Sequence, residues 1–404
     1  MVKKINGYNV LFVNMPTHTI HIEVIVKSGF IHETMKTTGI NHLLEHVLVS
    51  GWKKCNGSCN TFWDKKGAIV NASTDDTVMK YYIKGLATEM DEMIEYISTI
   101  VTHPLITQST IDNEKQAVID EITALSANPK SEMYNIFYKA FYKPEGLKCL
   151  EDYGLQLKNI KNLSVDDIKK VYEKTFNHEN MFVVICGHYD RQHVSKLLTK
   201  YLLPTKGTNF NKMDCFTHQH KIIHSPFKAE GTNILLGFPS TLMGSEFFDC
   251  FTVLLHQLLF KEMRTIHKLL YDIMITTKTT ECGTLLIIEI SVRDANVKET
   301  MRLLLRLLND YCHSNVEDEL VEACKKTVKY KYYMTVSNVD YYVKCIMQKT
   351  PLLTKEQSIK QVDLFTSEKF KRMCTQLFVF EEALCVYQSK RDAHLSWPMF
   401  AINS

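Results

Sequence analysis

The sequence predicts an α+β protein of two similar units, and two observations carry that prediction. One order of strand-like and helix-like segments occurs twice along the 404 residues. Between the two runs lies Pro204-Thr205-Lys206-Gly207-Thr208-Asn209 and a polar stretch reaching about His224, the composition of a connection rather than a core element. The first run reads as a strand over 19–30, a helix over 39–51, strands within 68–83, and helices over 87–101 and 109–125. The second reads as a strand over 233–238, a helix over 247–268, strands within 273–292, and helices over 297–311 and 318–333. The expected division is therefore a unit over 1–205, a linker over 206–224 and a second unit over 225–404.

The helix over 39–51 opens after Thr37-Thr38-Gly39 and closes at Gly51. It carries His42-Leu43-Leu44-Glu45-His46. Residues four apart sit one turn apart on one helix face, so both imidazoles can converge on one metal ion. Glu45 lies close to that face. Zinc accepts neutral His nitrogens, and a catalytic zinc site keeps one position open for water. The H-x-x-E-H order inverts the common zinc-protease motif and marks the inverzincins. Taken alone, the pattern also fits two ordinary helix histidines and a solvated Glu.

Residues 68–74 and 78–83 read as strands joined through Asp75-Asp76-Thr77. In the helix over 109–125, Ser109 or Thr110 is the expected cap, and apolar residues recur at Ile111, Val118, Ile122 and Leu125. Asn128-Pro129 ends it. Glu114 and Glu121 are seven apart, two turns along one face. A carboxylate can complete a two-histidine zinc site, although each Glu on its own reads as a solvated helix residue.

Together these segments resemble the pitrilysin-type peptidases, which include insulin-degrading enzyme and the mitochondrial processing peptidase. That family combines H-x-x-E-H with a later E-x6-E helix, matched here by Glu114 to Glu121, with 74 residues between His46 and Glu121. The approach Val26-Lys27-Ser28-Gly29-Phe30 and Gly39-Ile40 agrees. The resemblance implies antiparallel sheets with helices packed on one face, as half of a clamshell. It implies one zinc per chain on His42, His46 and Glu121, with Glu45 as general base and Glu114 as a supporting acid. It places Asn71 and Ala72 on a sheet edge where peptide substrate adds as a strand, a mode that depends little on sequence. Arg264 and Tyr271 match the family's R-x6-Y element, which contacts the peptide and the oxygen that gains charge. Leu270 stands where the family has a glycine. The second unit's counterpart of the motif, His256-Gln257-Leu258-Leu259-Phe260, cannot bind zinc. The function so implied is a zinc metalloendopeptidase acting on peptides or unfolded segments. The rivals are a non-catalytic structural subunit and a peptide-binding subunit of the same fold. Two units imply a homodimer or a related partner subunit.

Composition narrows the setting. Net charge is only +3, with no dense basic stripe, so nucleic acid is not an expected partner. No apolar run reaches the ~20 residues of a membrane helix, and the start shows no targeting pattern. The expected location is cytoplasmic or, for a viral protein, the host cytoplasm or virion. The twelve cysteines are accordingly expected as reduced thiols. Cys55 and Cys59 lack a second pair and are expected in a loop rather than in a second metal site. His218 and His220, near Cys215, are expected as linker residues.

Overall fold

Two sheets, each backed by helices, carry two separate hydrophobic cores. The computed structural model describes residues 2–55, 58–208, 210, 215–217, 220–228, 230–240, 247–280, 283–334, 339–348 and 352–400. Of the expected linker, residues 209, 211–214 and 218–219, His218 among them, lie outside the described residues.

The first unit comprises Met1–Asn128, Pro144–Lys212 and Asn338–Lys344. Its strands are β1 (Val2–Ile5), β2 (Tyr8–Asn14), β3 (Thr19–Val26), β4 (Ile69–Thr74), β5 (Met79–Leu86) and β6 (Met181–Gly187), ordered β1-β2-β6-β3-β5-β4. The sheet is not wholly antiparallel, because β2 and β6 pair in parallel. A parallel neighbour needs a long crossover, and here the intervening helices provide it. Ile20, Ile22, Val24 and Val26 of β3 point into the core, alternating with His21 and Glu23. Four helices matter most for the site: α1 (Ile40–Val49), α2 (Cys59–Asp64), α3 (Met90–Thr102) and α4 (Gln108–Ser126). Helix α1 buries Leu43, Leu44, Val47 and Leu48 completely, each side chain contributing roughly 1.5–3 kcal/mol by leaving water. Just beyond its end, Trp52 stacks on Trp63 at 5.8 Å and Tyr96 meets Trp63 edge-on at 5.3 Å. Helix α4 begins earlier than expected. Thr107, rather than Ser109 or Thr110, caps it by accepting from the Thr110 amide. Ile111, Val118 and Ile122 are buried while Leu125 is exposed.

The second unit comprises Pro129–Lys143, Met213–Ser337 and Cys345–Ser404. Strands β7 (Lys221–Pro226), β8 (Thr232–Ser240), β9 (Leu270–Thr280), β10 (Gly283–Val292) and β11 (Leu384–Ser389) run in the order β7-β11-β8-β10-β9, again with one parallel pair, β7 with β11. This order repeats β2-β6-β3-β5-β4 of the first sheet. Helix Phe248–Leu259 stands where α1 stands in the first unit and continues as a π-helix over Phe260–Ile266. The His256 ring, in the place of a metal ligand, stacks on Phe260.

The division differs from the expected cut near residue 205. Helix α5 (Ser131–Phe141) groups with the second unit although it precedes the linker. Its buried Met133, Phe137 and Phe141 explain why. Leu236 and Phe238 of β8 face the core, so Gly237 between them faces the other side of the sheet. There the Phe137 ring fills the space that a Cβ on Gly237 would need.

The expectation of reduced thiols is also corrected. Cys55 and Cys59 form a disulfide, with Cα atoms 4.8 Å apart. Cys215 is disulfide-bonded as well. Among the described residues, Cys149, Cys186, Cys250, Cys312, Cys324, Cys345, Cys374 and Cys385 are free. His220 stacks on Trp397 and its Nδ1 lies 2.8 Å from the Phe380 carbonyl oxygen. Among the described residues, no helix is long and apolar enough to cross a membrane.

Replacing Gly237 by Ala should overpack the contact with Phe137 and lower unfolding stability by about 1–3 kcal/mol, measured by denaturant titration. A change below about 0.5 kcal/mol would mean that α5 does not depend on this close approach.

Candidate metal centre

The motif helix is held from both ends. Gly39, its N-cap, has φ +93° and no capping side chain. Glu33 takes over that task from six residues upstream: its two carboxylate oxygens accept the Gly39 and Asn41 amides at 2.9 Å each. Glu33 is fully buried, and burial pushes its carboxyl up to about 8 against the opposing pull of these donors. Asn41 Nδ2 donates to the Gly29 carbonyl, fastening the first turn to the segment after β3. At the other end, the Tyr96 hydroxyl donates to the Val49 carbonyl at 2.9 Å, satisfying one of the open acceptors of a helix terminus.

So placed, α1 presents His42 and His46 one turn apart, with ring centroids separated by 5.1 Å. Glu121 on α4 faces both, its Oε2 lying 3.5 Å from His42 Nε2 and 3.5 Å from His46 Nε2. The three donor atoms lie within 4.8 Å of one another, and among the described residues they form the group able to hold a metal ion. Two imidazole nitrogens and one carboxylate oxygen are a donor set that suits zinc.

Glu114, two turns before Glu121, supports the other side of His46. Its Oε2 is 3.5 Å from His46 Nδ1, and its Oε1 accepts from Ser50 Oγ at 2.6 Å. A carboxylate on the far nitrogen fixes the ring's tautomer and leaves Nε2 for the ion. Burial is the largest single influence on both partners and opposes their charge. For His46 the hydrogen bond to Glu114 and the charges of Glu45, Glu121 and Glu114 together overcome it and raise the pKa; for Glu114 the hydrogen bonds from His46 and Ser50 and the charge of His46 together lower it. The Glu121 carboxyl is lowered, first by its hydrogen bond with His42.

Glu45 is buried, and desolvation raises its pKa against the lowering effects of Thr74, His42 and His46. Thr74 Oγ1 donates to Glu45 Oε2 at 2.6 Å. Glu45 and His46 line a cavity of about 420 Å³, together with Val70, Asn71 and Ala72 of β4, Cys59 and Asn60 of α2, and Glu114. Asn71 and Ala72 lie on the sheet's outermost strand, which among the described residues pairs with β5 alone.

Arg264 and Tyr271 belong to the second unit and are not grouped with these residues. Arg264, in the π-helix, donates to the Leu270 carbonyl at 3.0 Å. Tyr271 is exposed at the start of β9, and its hydroxyl accepts from Arg293 Nε at 2.9 Å. Leu270, in place of the family glycine, is a buried strand residue. The unusual backbone instead falls on Lys268, with φ +55°.

Four supporting residues escaped the reading of the sequence: Glu33, Ser50, Thr74 and Tyr96. Ser50 was within reach of it, being four residues after His46 and thus on the same helix face. The other three meet α1 through tertiary contacts that no local spacing encodes.

Residues 9–150 match the family model described as "Insulinase (Peptidase family M16)", and residues 162–328 match "Peptidase M16 inactive domain". An "Uncharacterized zinc protease" of Rickettsia bellii is 28% identical over 243 residues, covering 58% of this chain and 57% of the relative. Human cytochrome b-c1 complex subunit 1 is 24% identical over 258 residues, covering 59% of this chain and 52% of the relative. The chain thus spans about half the length of the curated relatives it matches. A protease of Helicobacter pylori superposes with a TM-score of 0.80 at 18% identity, covering 96% of this chain and 99% of that one. Pitrilysin superposes with 0.76 at 17% identity, covering 97% of this chain but 44% of its own. At such identities the likeness is one of fold.

Metal titration followed by elemental analysis checks the donor set. His42→Ala and His46→Ala should abolish stoichiometric metal, and Glu114→Gln should weaken it about 10–100-fold as an outer-shell change. Glu45→Gln should keep it. Loss of metal from Glu45→Gln as complete as in the His variants would refute the assignment of Glu45 as a non-ligand.

Proposed function

This chain belongs to the M16 peptidase family, and we propose that it is a zinc-dependent endopeptidase acting on peptides or unfolded segments. One observation carries the reading: His42, His46 and Glu121 converge beside the buried Glu45, which together with His46 lines a cavity bordered by the sheet's outermost strand. His42, His46 and Glu121 would hold the zinc, one per chain. When bound, zinc would supply polarisation of the scissile carbonyl and acidification of water.

The protein groups divide the remaining work. An extended peptide adds to β4 at Asn71 and Ala72, so that backbone hydrogen bonds position it with little regard to sequence. Glu45 takes a proton from the attacking water and returns it to the leaving amine, as base and then acid. Burial suits it to both roles, because desolvation disfavours its charge and eases protonation. Glu114 and Ser50 orient His46. Similarity to a cytochrome b-c1 subunit favours a second reading, that of a structural or peptide-binding subunit. The complete set of His42, Glu45, His46 and Glu121 weighs against it.

We assign the active form to a homodimer, with a related partner subunit as the alternative. Each chain has two units where the clamshell form of the family has four, and Arg264 and Tyr271 lie in the unit without the metal donors. In the proposed dimer, Tyr271 of the partner subunit completes each site.

A quenched fluorescent peptide assay separates the readings. The purified chain should show turnover that a chelator abolishes and zinc restores, and Glu45→Gln should lose at least about 100-fold, within the usual weight of a general base. Metal without turnover would favour the binding subunit, and neither would favour the structural one. Subunit mixing then tests the dimer. Glu45→Gln and Tyr271→Phe chains, each inactive alone, should recover about a quarter of wild-type activity on random exchange, since half the dimers would hold one intact site. No recovery despite confirmed exchange would exclude the shared site.

A further inference from the structure

We infer that Thr74 is a positioning residue for the reaction, fixing Glu45 and tying its placement to the strand on which peptide docks; this rests on the peptidase reading above. Val70, Ala72 and Thr74 alternate along β4 and therefore share one face of the strand. Val70 and Ala72 pack against the core and line the cavity, and Thr74 ends the row. Its hydroxyl donates to Glu45 Oε2 at 2.6 Å and lies 3.5 Å from the Asn41 carbonyl oxygen on the first turn of α1.

Three consequences follow from that contact. First, the bond is short and involves a group that is charged when it acts as a base, the stronger class of hydrogen bond. Second, Thr74 is the side chain that hydrogen-bonds Glu45 among the described residues: Oε2 is committed to Thr74, which leaves Oε1 as the oxygen available to the attacking water. A carboxylate without this tether would rotate about its terminal torsion, which has broad minima. Third, the tether comes from β4 itself. A peptide pairing along Asn71 and Ala72 stiffens the strand that holds the base, so docking and base placement share one element. Thr74 does not touch the substrate. It acts through Glu45.

The test compares Thr74→Val, which keeps the branched shape and removes the hydroxyl, with Thr74→Ser, which keeps the hydroxyl. Thr74→Val should retain metal and an unfolding midpoint within a few degrees of wild type. Its kcat should fall about 10–100-fold with KM within twofold, and Thr74→Ser should return kcat to within about threefold of wild type. A Thr74→Val enzyme with unchanged kcat, a defect confined to KM, or a Thr74→Ser variant as impaired as Thr74→Val would each overturn the proposal. Crystal structures of the two variants give a readout independent of turnover: Glu45 should leave its single placement in Thr74→Val and keep it in Thr74→Ser. An unmoved Glu45 in Thr74→Val would equally overturn it. A wild-type chain that cleaves no peptide would count against the peptidase reading, and the crystallographic comparison would still decide the role of Thr74.

Discussion

The pair of hydrogen bonds from Glu33 to the first turn of α1 is the constraint on which the centre depends. A helix that starts at a glycine with positive φ has no side chain to satisfy its leading amides, and buried amides without partners cost free energy. Glu33 supplies both acceptors at once from a buried position. Asn41 then ties the same turn to Gly29, while Tyr96 holds the last carbonyl. With both ends fixed and one face sealed by Leu43, Leu44, Val47 and Leu48, α1 has little freedom to rotate or slide. Every distance between α1 and α4 inherits that rigidity. Two imidazoles and a carboxylate must meet within a few tenths of an ångström to serve one ion, so a loosely anchored helix would not suffice.

Much of this was legible in the chain. The four-residue spacing of His42 and His46 and the seven-residue spacing of Glu114 and Glu121 are statements about helix geometry, and both faces turned out as periodicity requires. Strands β4 and β5 follow from their turn-bounded segments. The rest was hidden for definable reasons. Thr107 caps α4 ahead of two other plausible hydroxyls because its extended backbone, not its residue type, decides the cap. Glu33, Thr74 and Tyr96 act across tertiary contacts. The Cys55–Cys59 bridge depends on two Cα atoms lying 4.8 Å apart, which a four-residue spacing alone does not distinguish from free thiols. The parallel β2–β6 pair joins segments far apart in sequence, beyond the reach of any local pattern.

The two units show what a duplicated architecture preserves and what it releases. Strand order, the single parallel pair and a helix following the central strand are common to both, since these determine how the core closes. The polar residues of the motif are not needed for that closure. In the second unit their helix carries an aromatic stack of His256 on Phe260 and then widens into a π-helix that displays Arg264. Freed from holding an ion, the same element has been put to a different use.

The exchange of segments between the units has a consequence for biosynthesis. The first unit includes Asn338–Lys344, and the second includes Pro129–Lys143. Chains emerge from the ribosome N-terminus first, and domains ordinarily fold in that order as they appear. Here the unit that carries His42, His46 and Glu121 lacks one of its own pieces until more than 340 residues have been polymerised. Helix α5, made early, must wait for a sheet whose last strand, β11, ends at Ser389. Its apolar Met133, Phe137 and Phe141 stay without their final partners throughout that interval. Nascent chains of this protein therefore pass through a long stage in which neither half is finished: a premature stop before Lys344 leaves both incomplete, and one between there and β11 leaves the second unfinished.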